Sequence, residues 1–262
     1  MEIATLNNLF SLSGKVALVT GATGGLGSHI SLTLAAFGAA VIISDVDAEE
    51  CSKLKNEILR NRCEVEYIVA DLTNETSTSA MTASAIDWKG RIDVLVCCAG
   101  VEGPMGSLLD VTEVEWKRTM DINVQSSLWI CKQVCKQMAQ QNTGSVILIS
   151  SIAALRGNRF IGLYAITKAA LSQMARNLAI ELGPSGVRVN SVAPGLIETP
   201  LSYEFMSDQA FMTRRMSMTP LRRVGTPHEI SGVVVMLASD AGAFITGQTV
   251  VVDGGTLISD GN

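Results

Sequence analysis

Short apolar runs bounded by turn residues alternate along this chain with longer stretches whose apolar positions recur at helical spacing, which predicts strands and helices in alternation. Lys15-Val16-Ala17-Leu18-Val19-Thr20 reads as a first strand. It runs into Gly21-Ala22-Thr23-Gly24-Gly25-Leu26-Gly27, after which Ile30, Leu32, Leu34, Ala35 and Phe37 carry a helix up to Gly38. Residues 41–45, 65–70, 92–97, 146–149, 187–192 and 249–252 read as six further strands. Between them, Asp47-Ala48-Glu49-Glu50 predicts a capping box opening a helix to Arg60, and Thr73 or Asn74 a cap for the next. Thr112-Glu113-Val114-Glu115 predicts a second capping box and one long helix to Gln140, with Asn123 near its middle. A helix runs through Leu163-Tyr164-Ala165-Ile166-Thr167-Lys168, and Thr226-Pro227-His228-Glu229 caps a last one in which Gly232 to Leu237 are expected to be buried.

Strand alternating with helix predicts an α/β domain, and 262 residues suit a single one with a full core. The domain is expected to span residues 1–262, with 1–13 a short extension before the first strand. Residues 196–225 are the least regular stretch: Tyr203, Phe205, Met206, Phe211, Met212, Met216 and Met218 stand among Ser, Thr and Arg. Such segments serve as lids or binding loops, and its Met and aromatic content suits an adaptable apolar substrate pocket; packing of two short helices is the alternative.

Composition narrows the partners. A hydrophobic content of 47% with 17% charged residues suits a sheet covered on both faces. The net charge of −5 argues against nucleic acid as partner, with Arg214, Arg215, Arg222 and Arg223 a local exception. The start Met1-Glu2-Ile3-Ala4-Thr5-Leu6-Asn7-Asn8 is acidic and lacks a long apolar segment, so no secretory signal is expected, and no run is long enough for a membrane span. Six cysteines follow no disulfide spacing and two histidines leave little for a metal site, so no metal and a reducing cytoplasm are expected. Cys131 and Cys135, one helical turn apart, read as packing.

The glycine turn lets backbone approach a pyrophosphate closely, and the helix N-terminus after it offers free N–H groups and a partial positive charge. Asp45 ends the second strand eighteen residues beyond Gly27, where a carboxylate would accept hydrogen bonds from ribose hydroxyls and repel a 2′-phosphate. NAD is therefore favoured over NADP. Small residues at Cys98-Ala99-Gly100 would let a nucleotide pass over the fourth strand's end. Tyr164 and Lys168 share a helix face at i,i+4. Lowering a phenol by about 3 pKa units takes roughly 4 kcal/mol, which an ammonium about 4 Å away supplies at an effective dielectric near 20. Ser151 follows the apolar run Val146–Ile149, which would deliver its hydroxyl to the same sheet edge. Asn123 is a mediocre helix former in a helix interior: a tolerated polar residue, or an amide that diverts a backbone carbonyl to hold a water.

From Gly14 to Gly255 the chain resembles the short-chain dehydrogenase/reductase family. Thr20-Gly21-x-x-x-Gly25-x-Gly27 matches its coenzyme turn, Asp45 its NAD-selecting acid and Asp71-Leu72 its adenine contact. Asn123, Ser151, Tyr164 and Lys168 match its catalytic tetrad, and Pro194-Gly195 with Ile197 and Thr199 the segment that holds the nicotinamide carboxamide. One departure stands out: Cys97-Cys98-Ala99-Gly100 replaces the family's usual Asn-Asn-Ala-Gly, removing an amide that braces neighbouring strands.

The resemblance implies a Rossmann-like, doubly wound, seven-stranded, mainly parallel sheet with helices on both faces. It implies NAD held by Gly21, Thr23, Gly25, Leu26, Gly27, Asp45, Asp71, Leu72, Cys98, Ala99, Gly100, Tyr164, Lys168, Pro194, Gly195, Ile197 and Thr199. Tyr164 would be the general acid/base, Ser151 would orient the substrate oxygen, Lys168 would lower the Tyr164 pKa, and Asn123 would hold a relay water. The expected reaction interconverts a small, apolar secondary alcohol and its ketone in a homotetramer. A 3-oxoacyl thioester reductase, whose acidic carrier the arginines near Met216 would attract, is the enzymatic alternative, and a catalytically silent nucleotide sensor the non-enzymatic one.

Overall fold

The structure is a computed structural model that describes residues 8–260. The acidic start read as no secretory signal falls on Met1–Asn7, outside the described residues. Seven strands form one sheet: β1 (Val16–Thr20), β2 (Ala40–Asp45), β3 (Val65–Val69), β4 (Val94–Cys97), β5 (Gly144–Ile149), β6 (Val187–Pro194) and β7 (Thr249–Val252). Their order is β3-β2-β1-β4-β5-β6-β7 and every ladder is parallel, so the sheet expected to be mainly parallel is wholly so.

Parallel pairing follows from helical crossovers that cover both faces, and the burial of successive residues shows it. Along β1, Ala17 and Val19 pack into one apolar cluster and Val16 and Leu18 into another. The first cluster lies under α1 (Gly25–Ala36), α2 (Ala48–Arg60) and α9 (Pro227–Ala238), with Leu34, Ile58 and Val234 buried there. The second lies under α3 (Glu75–Lys89), α5 (Ser126–Gln140) and α6 (Gly162–Leu182), through Met81, Val134 and Leu171. Cys131 and Cys135 are buried in it, as packing requires. Leu12, in the segment before β1, is itself fully buried, and its N–H donates to the Phe37 carbonyl at 2.8 Å.

Helix starts follow the local chemistry with one difference. Asn74 caps α3 by accepting from the Ser77 N–H, and Thr112 and Glu115 form the reciprocal box that opens α4 (Glu113–Met120). Thr226 and Glu229 do the same for α9, where Gly232 faces solvent while Val234, Val235 and Leu237 are buried. At α2, Asp47 acts alone, accepting from the Glu49 and Glu50 N–H groups, so a one-sided cap replaces the expected box.

Two larger departures concern the site. The helix expected to run unbroken from Thr112 to Gln140 is interrupted by a π-helical turn at Asp121–Gln125, with Asn123 within it. The stretch 196–225 is less irregular than its composition suggests, because it folds into α7 (Tyr203–Ser207) and α8 (Gln209–Met218). Phe205 and Phe211 pack ring against ring at 5.5 Å between centroids and so join the two helices.

Candidate active site

The strand order reverses between β1 and β4, which both pair with parallel neighbours and diverge into crossovers on opposite faces. A cavity of about 1300 Å³ opens at their carboxyl ends. Every expected cofactor contact lines it, from Gly21 through Asp45, Asp71 and Cys98 to Thr199, together with Ser151, Tyr164 and Lys168.

The glycine turn is built for close approach. Gly21 sits at φ +64°, and a Cβ there would lie 2.5 Å from the Ala99 Cα, so only glycine lets β1 meet the end of β4 this closely. A Cβ on Gly25 would lie 2.7 Å from the Pro200 Cδ, because the segment after β6 closes over the start of α1. No side chain caps α1, whose N-cap is Gly24, and Gly24, Gly25 and Leu26 all line the cavity. Uncapped N–H groups at a helix N-terminus suit a pyrophosphate. The Asp45 carboxylate accepts from the Thr23 N–H at 3.0 Å, the Thr23 hydroxyl at 2.7 Å and the Val46 N–H at 2.8 Å. Of roughly four acceptor positions on a carboxylate, about one is left for a ribose hydroxyl. Asp71 is tied in a similar way: the Thr73 N–H and hydroxyl donate to it and hold its carboxyl below the usual range.

At the other end, Ser151 begins the turn after β5 and its hydroxyl accepts from the Ala153 N–H. Tyr164 and Lys168 lie one turn apart on α6, with the Lys168 Nζ 5.4 Å from the centre of the Tyr164 ring. The phenol does not behave as charge alone would have it. Burial pushes Tyr164 up to about 12, Ser151 beside it pulls downward, and Glu102 adds an upward push. Desolvation of the phenolate is the largest influence, so the net shift is upward, and the Lys168 ammonium spends a donor elsewhere. Lys168 donates to the Ile149 carbonyl at 2.9 Å, and burial draws its pKa down to about 8 against the upward pull of the Cys98 and Cys97 thiols. Cys98 stands where an amide was expected. Burial pushes its thiol up to about 12, and its N–H donates to the Thr20 carbonyl across the strands.

Asn123 is the one expected site residue that does not line the cavity. It is fully buried: its Oδ1 accepts from the Val101 N–H at 2.8 Å, and its Nδ2 donates to the Val101 carbonyl at 2.8 Å and the Thr167 hydroxyl at 3.0 Å. Its amide thus locks the loop after β4 to α6. Thr167 and the Ile149 carbonyl are parts of the site that sequence reasoning did not name. Thr167 could have been found from its place between Tyr164 and Lys168; a backbone carbonyl leaves no trace in a sequence. Arg156, Arg214, Arg215, Phe205, Phe211 and Met218 line the same cavity from the turn after β5 and from α7 and α8. Among the described residues, no helix is long and apolar enough to cross a membrane.

Comparison with known proteins finds dehydrogenases and reductases. A sequence profile described as enoyl-(acyl carrier protein) reductase matches residues 21–256. Dehydrogenase/reductase SDR family member 4 from Homo sapiens is 37% identical over 245 residues, covering 94% of this chain and 88% of that one. The (2S)-[(R)-hydroxy(phenyl)methyl]succinyl-CoA dehydrogenase subunit BbsD of Thauera aromatica is 37% identical over 245 residues, covering 93% of this chain and 97% of its own. Among solved structures, 7α-hydroxysteroid dehydrogenase complexed with NADH and 7-oxo glycochenodeoxycholic acid superposes with a TM-score of 0.91 at 33% identity, covering 95% of this chain and 96% of the other.

Proposed function

The chain belongs to the short-chain dehydrogenase/reductase family and is an oxidoreductase; from that premise we propose that it interconverts a secondary alcohol and its ketone with NAD. The single observation that carries the reading is the convergence of Ser151, Tyr164 and Lys168 with the glycine turn and Asp45 on one cavity. The 7α-hydroxysteroid dehydrogenase, solved with NADH and an oxo acid, supports it by likeness.

When bound, the nicotinamide gives or takes the hydride. In this reading the Gly21–Gly27 turn and the uncapped start of α1 hold the pyrophosphate, Asp45 the adenosine ribose, Asp71 and Leu72 the adenine, and Ile197 and Thr199 the carboxamide. Tyr164 gives its proton to the carbonyl oxygen in reduction and takes it from the hydroxyl in oxidation. Ser151 hydrogen-bonds the same oxygen and orients it. Lys168, anchored on the Ile149 carbonyl, keeps its remaining donors and its charge beside the phenol. Burial pushes the phenol upward, so Tyr164 rests protonated and ready to donate in the reductive direction. Asn123 positions Val101 and Thr167 and so acts through them. Phe205, Phe211 and Met218 give the substrate an apolar wall.

The reading includes a homotetramer, supported by the exposure of Leu109, Phe244 and Ile258, and a cytoplasmic setting, supported by free cysteines throughout the described residues. A second reading, reduction of a 3-oxoacyl thioester, is favoured by Arg214 and Arg215 on the cavity wall and by the likeness to a succinyl-CoA dehydrogenase subunit. The test is absorbance at the reduced-nicotinamide band with a panel of alcohols and ketones, wild type against Tyr164→Phe. Nucleotide binding is expected to survive and turnover to fall by about 10²- to 10⁴-fold; equal turnover would remove Tyr164 from the chemistry.

A further inference from the structure

Three guanidiniums meet at one wall of the cavity. Arg156 follows the Ser151 turn and Arg214 and Arg215 come from α8, yet all line the space that Tyr164 faces. Arg156 and Arg215 are partly buried, and Arg215 feels the charge of both others. Among the described residues, none of the three forms an ion pair, and none of their side-chain N–H groups donates to a protein acceptor. Asp253 attracts Arg156 and Arg215, but its oxygens already accept from the Gly255 N–H at 2.8 Å and the Leu257 N–H at 2.6 Å. Glu102, the remaining carboxylate near Tyr164, is itself pushed up by burial and by Glu204.

Like charges drawn partly out of water repel, and each guanidinium carries five donors in a fork that fits a carboxylate or phosphate. Burial and the neighbouring arginines bring Arg215 down to about 10, a sign of how poorly the cluster is compensated from within. The Arg215 guanidinium carbon lies over the Phe211 ring, 5.3 Å from its centre. An anion supplied from the cavity would use the unspent donors and relieve the repulsion.

We propose that Arg156, Arg214 and Arg215 form an anion subsite of the substrate cavity, so that the alcohol or ketone acted on bears a carboxylate or a phosphate away from its reacting carbon. The inference rests on the oxidoreductase reading above and names its substrate class.

The test pairs charged and neutral ketones: 10-oxoundecanoate with its methyl ester, and 3-oxohexanoyl-coenzyme A with the N-acetylcysteamine thioester. Wild type, Arg156→Gln, Arg215→Gln and the charge-keeping Arg215→Lys are compared for KM and kcat, for NAD affinity, and by calorimetry for 10-hydroxyundecanoate binding at two salt concentrations. Wild type is expected to favour the charged member of one pair by roughly tenfold or more. Either glutamine variant should lose that preference through KM, with the neutral member changing far less, while Arg215→Lys keeps most of it. A response in the acid pair assigns the anion to a carboxylate of the substrate, and one in the thioester pair to a carrier phosphate. Equal handling of charged and neutral members by wild type overturns the subsite, as does a preference that survives both glutamine variants. Loss of NAD affinity in step with the arginines would assign the cluster to the dinucleotide instead and overturn it too. If no ketone turns over but 10-hydroxyundecanoate binds wild type more tightly than the variants, the subsite stands and the oxidoreductase reading falls.

Discussion

The Lys168 ammonium lies 5.4 Å from the centre of the Tyr164 ring and spends one of its donors on the Ile149 carbonyl at 2.9 Å. One burial acts on both groups in opposite senses, drawing the ammonium down to about 8 and pushing the phenol up to about 12, because each is held toward its neutral form.

That pair makes stability depend on alkaline pH in two windows. Below pH 8 the folded protein carries the full cost of a buried ammonium. Between about 8 and 10.5 the unfolded chain binds more protons at Lys168 than the folded one, so this group's contribution improves as pH rises. From about 10 to 12 the unfolded chain loses the Tyr164 proton first, and that contribution then falls. Lys168→Met is expected to be more stable than wild type at pH 7 by roughly 1–3 kcal/mol, with turnover lost. Urea midpoints between pH 7 and 10 check it: the gap should narrow with pH, and a constant gap would mean that Lys168 is not a buried cation.

Asn123 tests a different kind of contact. Asn123→Ala would remove the partner of the half-buried Val101 N–H and Val101 carbonyl and one of the two partners of the buried Thr167 hydroxyl, which still donates to the Tyr164 carbonyl. At about 1 kcal/mol for each of the three lost hydrogen bonds, a loss of roughly 2–3 kcal/mol is expected on chemical denaturation, with hydrogen-exchange protection lost first at the Val101 amide. A variant as stable as wild type would deny the amide its bracing role.

Gly25 measures how tightly the segment after β6 lies over α1. In Gly25→Ala the new methyl would meet the Pro200 Cδ at 2.7 Å and the Thr199 Cβ at 2.8 Å, so the segment must move outward. Folding should persist, since alanine suits a helical position, while NAD affinity measured by fluorescence titration is expected to weaken by about tenfold. Unchanged affinity would show that this closure plays no part in holding the dinucleotide.

Asp45 carries the cofactor preference. Asp45→Ala removes the acceptor that ties down Thr23 together with the charge that repels a 2′-phosphate. The ratio of kcat/KM for NAD to that for NADP is expected to fall by about tenfold or more, part of it through a higher KM for NAD. A ratio left as it was would place the selection elsewhere.

Read from residues in order, much of this site is legible because its geometry is local. A run such as residues 16–19 is apolar throughout because both its faces are covered, Thr112 and Glu115 find one another within a turn, and Tyr164 and Lys168 share a face by helical period alone. The turn at Asp121–Gln125 was not legible, because a π-turn repays its poorer hydrogen bonding only through partners such as Val101, twenty-two positions away.

By itself, then, the sequence determined the strands, the caps, the glycine cradle and the identity of the groups beside it, since backbone sterics and apolar periodicity act over a few residues. Only the tertiary structure decided the protonation of Tyr164 and Lys168, the locking of Val101 by Asn123 and the meeting of Arg156 with Arg215. Those depend on desolvation and on charge acting through space, and both are sums over side chains that the chain brings together from far apart.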